Sequence, residues 1–351
     1  MVLREELEKR EHELLSPYAC KASDSRGRRL PEKPDKVRTA FQRDRDRIIH
    51  SKALRRLMHK TQVFLSPEGD HFRTRLTHTL EVAQIARTIS RALNLNEDLT
   101  EAIALGHDLG HTPFGHNGEI ILAKHHPQGF RHNEQSLRIV DVIEKNTRNR
   151  TMNLSEEVRD GIVNHTGQAK PFTLEGQVVR LSDRIAYINH DIDDAIRGKI
   201  IRGRDIPKEC VEFLGREHGE RINTLVLDVV KNSDGKDSIS QSEDATYYMN
   251  RLRDFMFERV YQNPEVKQNA ELIKIGHLIV SLYDYYLERT ELLPDEYRDL
   301  IISDGPAEAV KDYIAGMTDR YAINLYVKLF VPSGWKLESG GRCDADFTGI
   351  I

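Results

Sequence analysis

Apolar residues recur three and four positions apart along most of the chain, which is the spacing of one face of an α-helix. The clearest case is the run Leu80, Ala83, Ala86, Ile89 and Leu93, which predicts a long amphipathic helix. The same pattern predicts further helices at residues 5–15, 41–62, 99–109, 134–145, 155–165, 174–196, 247–261, 264–289 and 306–330. Strand-like residues are confined to a possible short hairpin at 198–206. We therefore predict a mainly α fold, a bundle of many helices.

Changes of composition along the chain divide it into three parts. Residues 1–40 are highly charged and carry Pro31 and Pro34, so they are predicted to form a mobile N-terminal arm. Residues 41–336 keep the helical pattern and are predicted to fold as a single unit. Residues 337–351 lose that pattern and are predicted to form a disordered tail.

The overall composition excludes several classes of protein. In a chain of 351 residues with a mean hydropathy of -0.57, no stretch reaches the ~18 apolar residues that a membrane-spanning helix needs. The Glu-rich N-terminus does not resemble a signal peptide, and three scattered cysteines argue against a disulfide framework, so we expect a cytoplasmic protein. The net charge of -4 argues against a nucleic-acid partner.

Histidine is unevenly distributed, and this points to chemistry. Nine of the 15 histidines fall between His59 and His132. Within that region, His107 and Asp108 are adjacent at the end of a predicted helix, His78 opens the helix before it, and Asp183 lies in a later one. Three helices can therefore direct two imidazoles and two carboxylates at one point. The alternative interpretation is a buried ion-pair network without metal.

Such a set of ligands suits one divalent ion, either Mn²⁺, Mg²⁺, Ni²⁺, Fe²⁺ or Zn²⁺. Four protein ligands leave positions open for water and a phosphate oxygen, which is typical of a hydrolytic site. The 13-residue block 107–119 adds further histidines and a Gly/Pro loop, after which Asn117 is predicted to cap a helix. Helical spacing places Glu119 beside His116, where it would orient that imidazole. Asn133 is predicted to cap the next helix.

These blocks resemble a known family. The chain resembles the HD superfamily and, within it, the deoxynucleoside triphosphate triphosphohydrolases, or dGTPase-like proteins. The resemblance rests on residues 60–63 (KTQV), 73–78 (RTRLTH), 107–119 (HDLGHTPFGHNGE), 132–135 (HNEQ) and 181–187 (LSDRIAY), and more loosely on Arg253 and 259–262 (RVYQ). It covers roughly residues 36–335 and implies an HD core at about 75–195 with additional C-terminal helices.

The resemblance implies roles for the metal and phosphate residues. The metal would be held by four side chains, His78, His107, Asp108 and Asp183. Catalysis would fall to His116, Glu119 and His132, with the division of acid and base roles between the two histidines left open. Phosphate would be bound by Arg75, which precedes His78 by three residues and shares its helix face, and His111 would either contact phosphate or support the site.

The resemblance also implies a sugar pocket. Helical spacing places Asp183, Tyr187 and Asp191 on one face. The tyrosine ring would lie against the deoxyribose and exclude a 2′-hydroxyl, while the carboxylate would bind the 3′-hydroxyl. Further substrate contacts are expected from Gln62, Arg184, Arg253, Tyr261 and Gln262. For Tyr187 and the last three, ordinary packing or surface roles remain open.

The implied activity is hydrolysis of a dNTP to the deoxynucleoside and inorganic triphosphate. The resemblance further implies a homo-oligomer, a tetramer or hexamer, and a possible allosteric dNTP. Two alternatives remain: an HD phosphohydrolase acting on nucleoside monophosphates or signalling nucleotides, and a non-catalytic nucleotide sensor. Base preference is not predicted.

Overall fold

The computed structural model describes residues 3–62, 73–145, 150–261 and 269–332. Within these ranges the chain forms helices and no strand longer than an isolated bridge. The helices are α1 (Arg4–Leu14), α2 (Ala40–Ile49), α3 (Lys52–Arg56), α4 (Arg75–Ala92), α5 (Glu97–Gly106), α6 (Gly115–His125), α7 (His132–Arg138), α8 (Glu156–Asn164), α9 (Leu174–Arg197), α10 (Lys208–Leu214), α11 (His218–Ser233), α12 (Glu243–Met256), α13 (Asn269–Glu288), α14 (Asp295–Asp304), α15 (Pro306–Ala315) and α16 (Asp319–Phe330). The predicted mainly α fold is confirmed.

Side-chain caps explain why several helices begin where they do. Thr74, Asn96 and Thr173 accept hydrogen bonds from the backbone of the first turns of α4, α5 and α9, the helices that carry or directly precede the candidate metal ligands. Ser51 caps α3 in the same way and interrupts the single helix predicted at 41–62. Thr318 caps α16 and divides the helix predicted at 306–330.

Some predicted boundaries are wrong. Helix α6 begins at Gly115, because Phe114 adopts a left-handed conformation with φ of 62° and ends the loop before the predicted cap at Asn117. Helix α7 begins at His132, one residue before its predicted cap, and gives way to a π turn at Ile139–Ile143. The suggested hairpin at 198–206 is absent; that part of the chain contains a 3-10 turn at Gly203–Asp205.

The helices pack around two hydrophobic clusters. The larger one joins α4, α5, α8 and α9 with α2 and the helices α10 to α12, and α5 lies at its centre between α2, α4, α8 and α9. The smaller cluster joins Phe114 and α6 to the C-terminal helices α13 to α16. The loop between α5 and α6 therefore runs from one cluster to the other.

The predicted N-terminal arm lies against the larger cluster. The backbone N–H of Arg26 donates to Glu157 of α8 over 2.6 Å, and Arg28 forms an ion pair with the fully buried Asp44 of α2. The mobility expected for residues 1–40 stays a prediction. Any such motion would have to break these two contacts. The predicted tail at 337–351 lies outside the described residues. In the part that is described, no helix is both long and apolar enough to cross a bilayer.

Candidate metal and phosphate site

Three packed segments bring the four candidate metal ligands together. His78 lies in the first turn of α4, His107 and Asp108 follow directly after α5, and Asp183 lies in the middle of α9. The ligand atoms of His78, His107 and Asp108 all lie within 4.8 Å of one another. The Oδ1 of Asp183 is 3.1 Å from His78 Nε2 and 3.8 Å from His107 Nε2.

The hydrogen bonding of His107 fits a metal ligand. Its Nδ1 lies 2.7 Å from the carbonyl oxygen of Ala104, so Nδ1 carries the proton and donates it. Its Nε2 therefore presents a lone pair, and this buried atom has no hydrogen-bond partner among the described residues. It faces Asp108 Oδ1 at 3.4 Å and Asp183 Oδ1 at 3.8 Å, which are acceptors too. Because these atoms repel one another without a cation between them, the donor set fits a divalent ion.

Asp108 connects the metal ligands to the phosphate side. Its Oδ2 accepts from Arg75 Nη1 over 2.7 Å, and its Oδ1 lies 3.3 Å from His111 Nε2. The same guanidinium donates from Nη2 to the carbonyl oxygen of Gln62 over 3.2 Å. Its buried Nε–H and the Oε1 of Gln62 have no partner among the described residues, so both are available to a bound molecule. Burial and the charge of Arg75 hold the pKa of His111 well below its usual value.

A second cluster of charged side chains surrounds Glu119. His132 donates from both its backbone N–H and its Nδ1 to Glu119 Oε1, each over 2.9 Å. His116 Nδ1 lies 3.4 Å from Oε2. Burial would raise the pKa of Glu119, but the hydrogen bonds from both histidines lower it below its ordinary value, so the carboxylate is ionised. The ring of His132 stacks on that of His111 at 4.0 Å, which joins this cluster to Asp108.

Accessibility separates the two histidines that flank Glu119. The side chain of His116 is 65% exposed, whereas that of His132 is 14% exposed. A substrate can therefore reach His116 directly, while His132 is held in one orientation from the interior.

The loop after α5 packs tightly enough to exclude side chains at two glycines. A Cβ atom at Gly110 would lie 2.2 Å from Ser136 N and 2.4 Å from His132 O, so only glycine lets the loop approach α7 this closely. The contact is completed by Ser136 Oγ, which accepts from Gly110 N and donates to His107 O. Gly115 has φ of 56°, and a Cβ there would meet Gln62 O at 2.9 Å.

The predicted sugar residues are only partly brought together. Tyr187 is half-buried on α9, and burial raises its pKa, whereas the charges of nearby Arg184 and Arg253 lower it. Arg184 donates to Asn250 of α12 over 3.0 Å, and Arg253, on the same helix, pairs with its neighbour Asp254 at the surface. Asp191, also on α9, is buried at 3% exposure. Gln262 and the side chain of Tyr261 lie outside the described residues.

Comparison with known proteins identifies the family. The HD domain model matches residues 75–188, which span the four metal-ligand candidates, and the phosphohydrolase-associated domain model matches residues 239–328. A deoxyguanosinetriphosphate triphosphohydrolase-like protein of Caldanaerobacter subterraneus subsp. tengcongensis is 57% identical over 335 residues, covering 95% of this chain and 98% of that protein. The chain belongs to the deoxyguanosinetriphosphate triphosphohydrolase-like family. Proteins of that name from Desulfatibacillum aliphaticivorans and Clostridium tetani are 48% and 45% identical, covering 95% of this chain and 99% and 97% of their own length.

Two histidines beside the site were not predicted from the sequence. His165, after α8, lies with Nε2 3.2 Å from His132 Nε2, and burial lowers its pKa to about 3. His190 lies with Nδ1 3.4 Å from His78 Nδ1, and burial lowers its pKa to about 2. A signal existed for His190, since it stands seven residues, about two helical turns, after Asp183. Nothing local marked His165.

Proposed function

We propose that this protein hydrolyses a dNTP to the deoxynucleoside and inorganic triphosphate with the help of one divalent ion. The observation that carries the proposal is the buried Nε2 of His107, which has no hydrogen-bond partner in the described part of the chain and faces two carboxylates beside the ionised Glu119 cluster. The family relatives' name, deoxyguanosinetriphosphate triphosphohydrolase-like, supports the substrate class.

The ion would be held by His78, His107, Asp108 and Asp183. Its identity among Mn²⁺, Mg²⁺, Ni²⁺, Fe²⁺ and Zn²⁺ is open, since this donor set suits each of them. When bound, such an ion activates water and neutralises phosphate charge. Arg75 keeps Asp108 oriented and presents to a phosphate oxygen its Nε–H, which no described residue accepts from.

The histidines around Glu119 supply the proton for the leaving 5′-oxygen. Glu119 accepts from His132 Nδ1, and His165 donates from its own Nδ1 to the carbonyl of Ile162. The two facing Nε2 atoms, 3.2 Å apart, therefore need a proton between them. In this proposal His132 and the exposed His116, which also contacts the phosphates, share the acid and base roles.

The sugar would lie along α9. In this proposal the ring of Tyr187 lies against C2′, and Asp191 and Gln62 bind the 3′-hydroxyl. The basic side chains Arg184 and Arg253, both near Tyr187, would contact phosphates. Tyr261 and Gln262 would line the remaining side of the pocket.

We also propose that the chain forms a homo-oligomer, a tetramer or hexamer, in the cytoplasm, and that a second dNTP acts as an effector. The apolar side chains Ile323, Val327 and Phe330 on α16 are 45%, 48% and 39% exposed, which is typical of a surface that a partner covers. Light scattering should detect an assembly larger than one chain. A monomer both with and without dNTPs would contradict this part of the proposal.

The decisive experiment incubates the purified protein with each of the four dNTPs and four NTPs and with each of the five ions in turn. Chromatography of the products then separates the candidate functions. Triphosphate and deoxynucleoside support the proposal. Orthophosphate release, or turnover of monophosphates only, indicates a different HD phosphohydrolase, and binding without release indicates a sensor.

A further inference from the structure

The C-terminal hairpin, formed by α15 (Pro306–Ala315) and α16 (Asp319–Phe330), contacts three segments that carry candidate catalytic or substrate residues. These are the segment before Gln62, the loop from His111 to Gly115, and helix α7, which begins at His132. The candidate metal ligands lie instead on α4, the end of α5 and α9, which pack in the larger cluster.

The first contact is made by Asp319, at the start of α16. Its Oδ1 accepts from the backbone N–H of Phe114 over 2.8 Å. Its Oδ2 accepts from the backbone N–H of Thr61 over 3.0 Å and from the Thr61 hydroxyl. One carboxylate thus joins the residue before Gln62 to the left-handed residue that precedes α6.

The second contact is made by Lys60. Its side chain is buried, at 2% exposure, and donates to the carbonyl oxygens of His111 and Ala315, the latter over 2.9 Å. The ammonium therefore fastens the loop before Phe114 to the last residue of α15. Among the described residues no carboxylate pairs with Lys60, so these two carbonyl oxygens compensate for the cost of burying it and define its position.

The third contact is made by Asp312 of α15, which is buried at 1% exposure. It accepts from Gln135 Nε2 over 2.9 Å and from Arg138 Nε over 2.8 Å, both on α7. Since α7 begins at His132, this contact fixes the direction of the helix that carries His132.

From these contacts we infer that the C-terminal hairpin is a positioning element: it sets the geometry of the catalytic segments without taking part in metal binding. Asp319 is its principal positioning residue, because this one hairpin side chain binds two of the segments, at Thr61 and at Phe114. A substitution that disturbs the hairpin therefore lowers turnover while the protein still binds its metal ion. The inference rests on the proposed function only where turnover is the readout.

The test compares Asp319→Ala and Asp319→Asn with Thr318→Ala in the full chain. Thr318 caps the same helix by accepting from Tyr321 N, so its loss weakens the start of α16 without removing either contact of Asp319. We expect Asp319→Ala to keep wild-type metal content and to lose about 10²-fold in kcat, with a smaller change in KM, because a displacement of about 1 Å at the reacting groups costs that much. The asparagine, whose single carbonyl oxygen serves one segment, should be intermediate, and Thr318→Ala should resemble the wild type.

Hydrogen–deuterium exchange gives a readout that does not depend on activity. The amides of Thr61 and Phe114 should exchange faster in Asp319→Ala than in the wild type or Thr318→Ala. Wild-type kcat, wild-type exchange or lost metal in Asp319→Ala would overturn the inference, as would equal effects in Thr318→Ala. If the wild type releases no triphosphate, the proposed function fails, and the exchange and metal measurements alone decide the inference.

Discussion

At the metal end of the site, His78, His107, Asp108 and Asp183 converge from three separate segments. At the proposed sugar end, Tyr187 and Asp191 come from the single helix α9. The metal end therefore depends on how α4, α5 and α9 pack, whereas the sugar end depends mainly on helix register. Changes at the metal end should abolish function outright, and changes at the sugar end should alter selectivity while metal binding persists.

The largest effect is expected from removing metal ligands. Asp183→Ala, or the double change His107→Ala with Asp108→Ala, should lose bound metal and reduce turnover to background while circular dichroism stays helical. Metal analysis of the purified variants is the measurement. Asp193→Ala is the matched control, since Asp193 also lies on α9 but pairs with Arg73. Full metal occupancy in the double variant would exclude the proposed ligands.

The next largest effect is expected at His116, where the metal end meets solvent. His116→Ala should keep metal and nucleotide binding but lose ~10²–10⁴-fold in kcat, the usual contribution of acid–base catalysis. His125→Ala, in the last turn of the same helix and bonded to Asp284, is the control and should retain kcat. A near-wild-type kcat in His116→Ala would show that this residue has a structural and not a catalytic role.

Part of the candidate site was predictable from the sequence, because some of its signals are local. The pair His107 and Asp108 sits in a block dense in histidine, glycine and proline, and helical spacing connects Glu119 to His116. In contrast, the contacts of His165 with His132 and of Lys60 with Ala315 join residues 33 and 255 positions apart. Only tertiary packing creates such pairs, so no periodicity reveals them.

The presence of a long helix was likewise easier to predict than the residues at which it begins and ends. The 3.6-residue period identified α4 and α9, but α10, α11 and α14 were not predicted. The start of α6 depends on the left-handed Phe114, whose conformation is supported by a hydrogen bond to Asp319, 205 positions away. Such boundaries are determined by the tertiary structure and not by the neighbouring residues.

At the sugar end, Tyr187→Ala should relax discrimination against ribonucleotides. The ring would no longer exclude a 2′-hydroxyl, and the ratio of kcat/KM for dGTP to that for GTP should fall by up to about 10²-fold, the discrimination that a shaped pocket achieves against one added hydroxyl. Tyr187→Phe keeps the ring and should keep the ratio. An unchanged ratio in Tyr187→Ala would place selectivity elsewhere, and lost metal would contradict the separation of the two ends.

A smaller effect is expected from Asp191→Ala, one helical turn further along. If its carboxylate binds the 3′-hydroxyl, the loss should raise KM for dNTPs and cost about 1–3 kcal/mol in kcat/KM. The same variant should discriminate poorly between a dNTP and its 3′-deoxy analogue, which the wild type should distinguish. Equal discrimination by both proteins would show that another group reads the 3′-hydroxyl.

The smallest effect on function is expected at Glu175, in the first turn of α9, where a substitution should change stability and leave metal content and selectivity unchanged. Its Oε1 accepts from the backbone N–H groups of Cys20 and Asn96, its Oε2 has no partner among the described residues, and burial raises its pKa from 4.5 to about 7. The folded state therefore keeps a proton that the unfolded state releases above pH 4.5, so stability falls as the pH rises toward 7 and then levels off.

Glu175→Gln imitates the protonated carboxyl at every pH and should remove this loss. Its advantage in the free energy of unfolding should grow by about 2–3 kcal/mol between pH 5 and pH 8, given 1.36 kcal/mol per pKa unit. Urea unfolding followed by circular dichroism at both pH values measures this free energy for the variant and the wild type. Metal content and the dGTP-to-GTP ratio of kcat/KM serve as controls. Parallel stability profiles would show that the carboxyl is already ionised in the folded protein. Glu175 lies outside both ends of the site. A variant that gains stability yet keeps its metal content and its dGTP-to-GTP ratio would therefore show that metal binding and sugar selectivity do not depend on how the first turn of α9 is anchored.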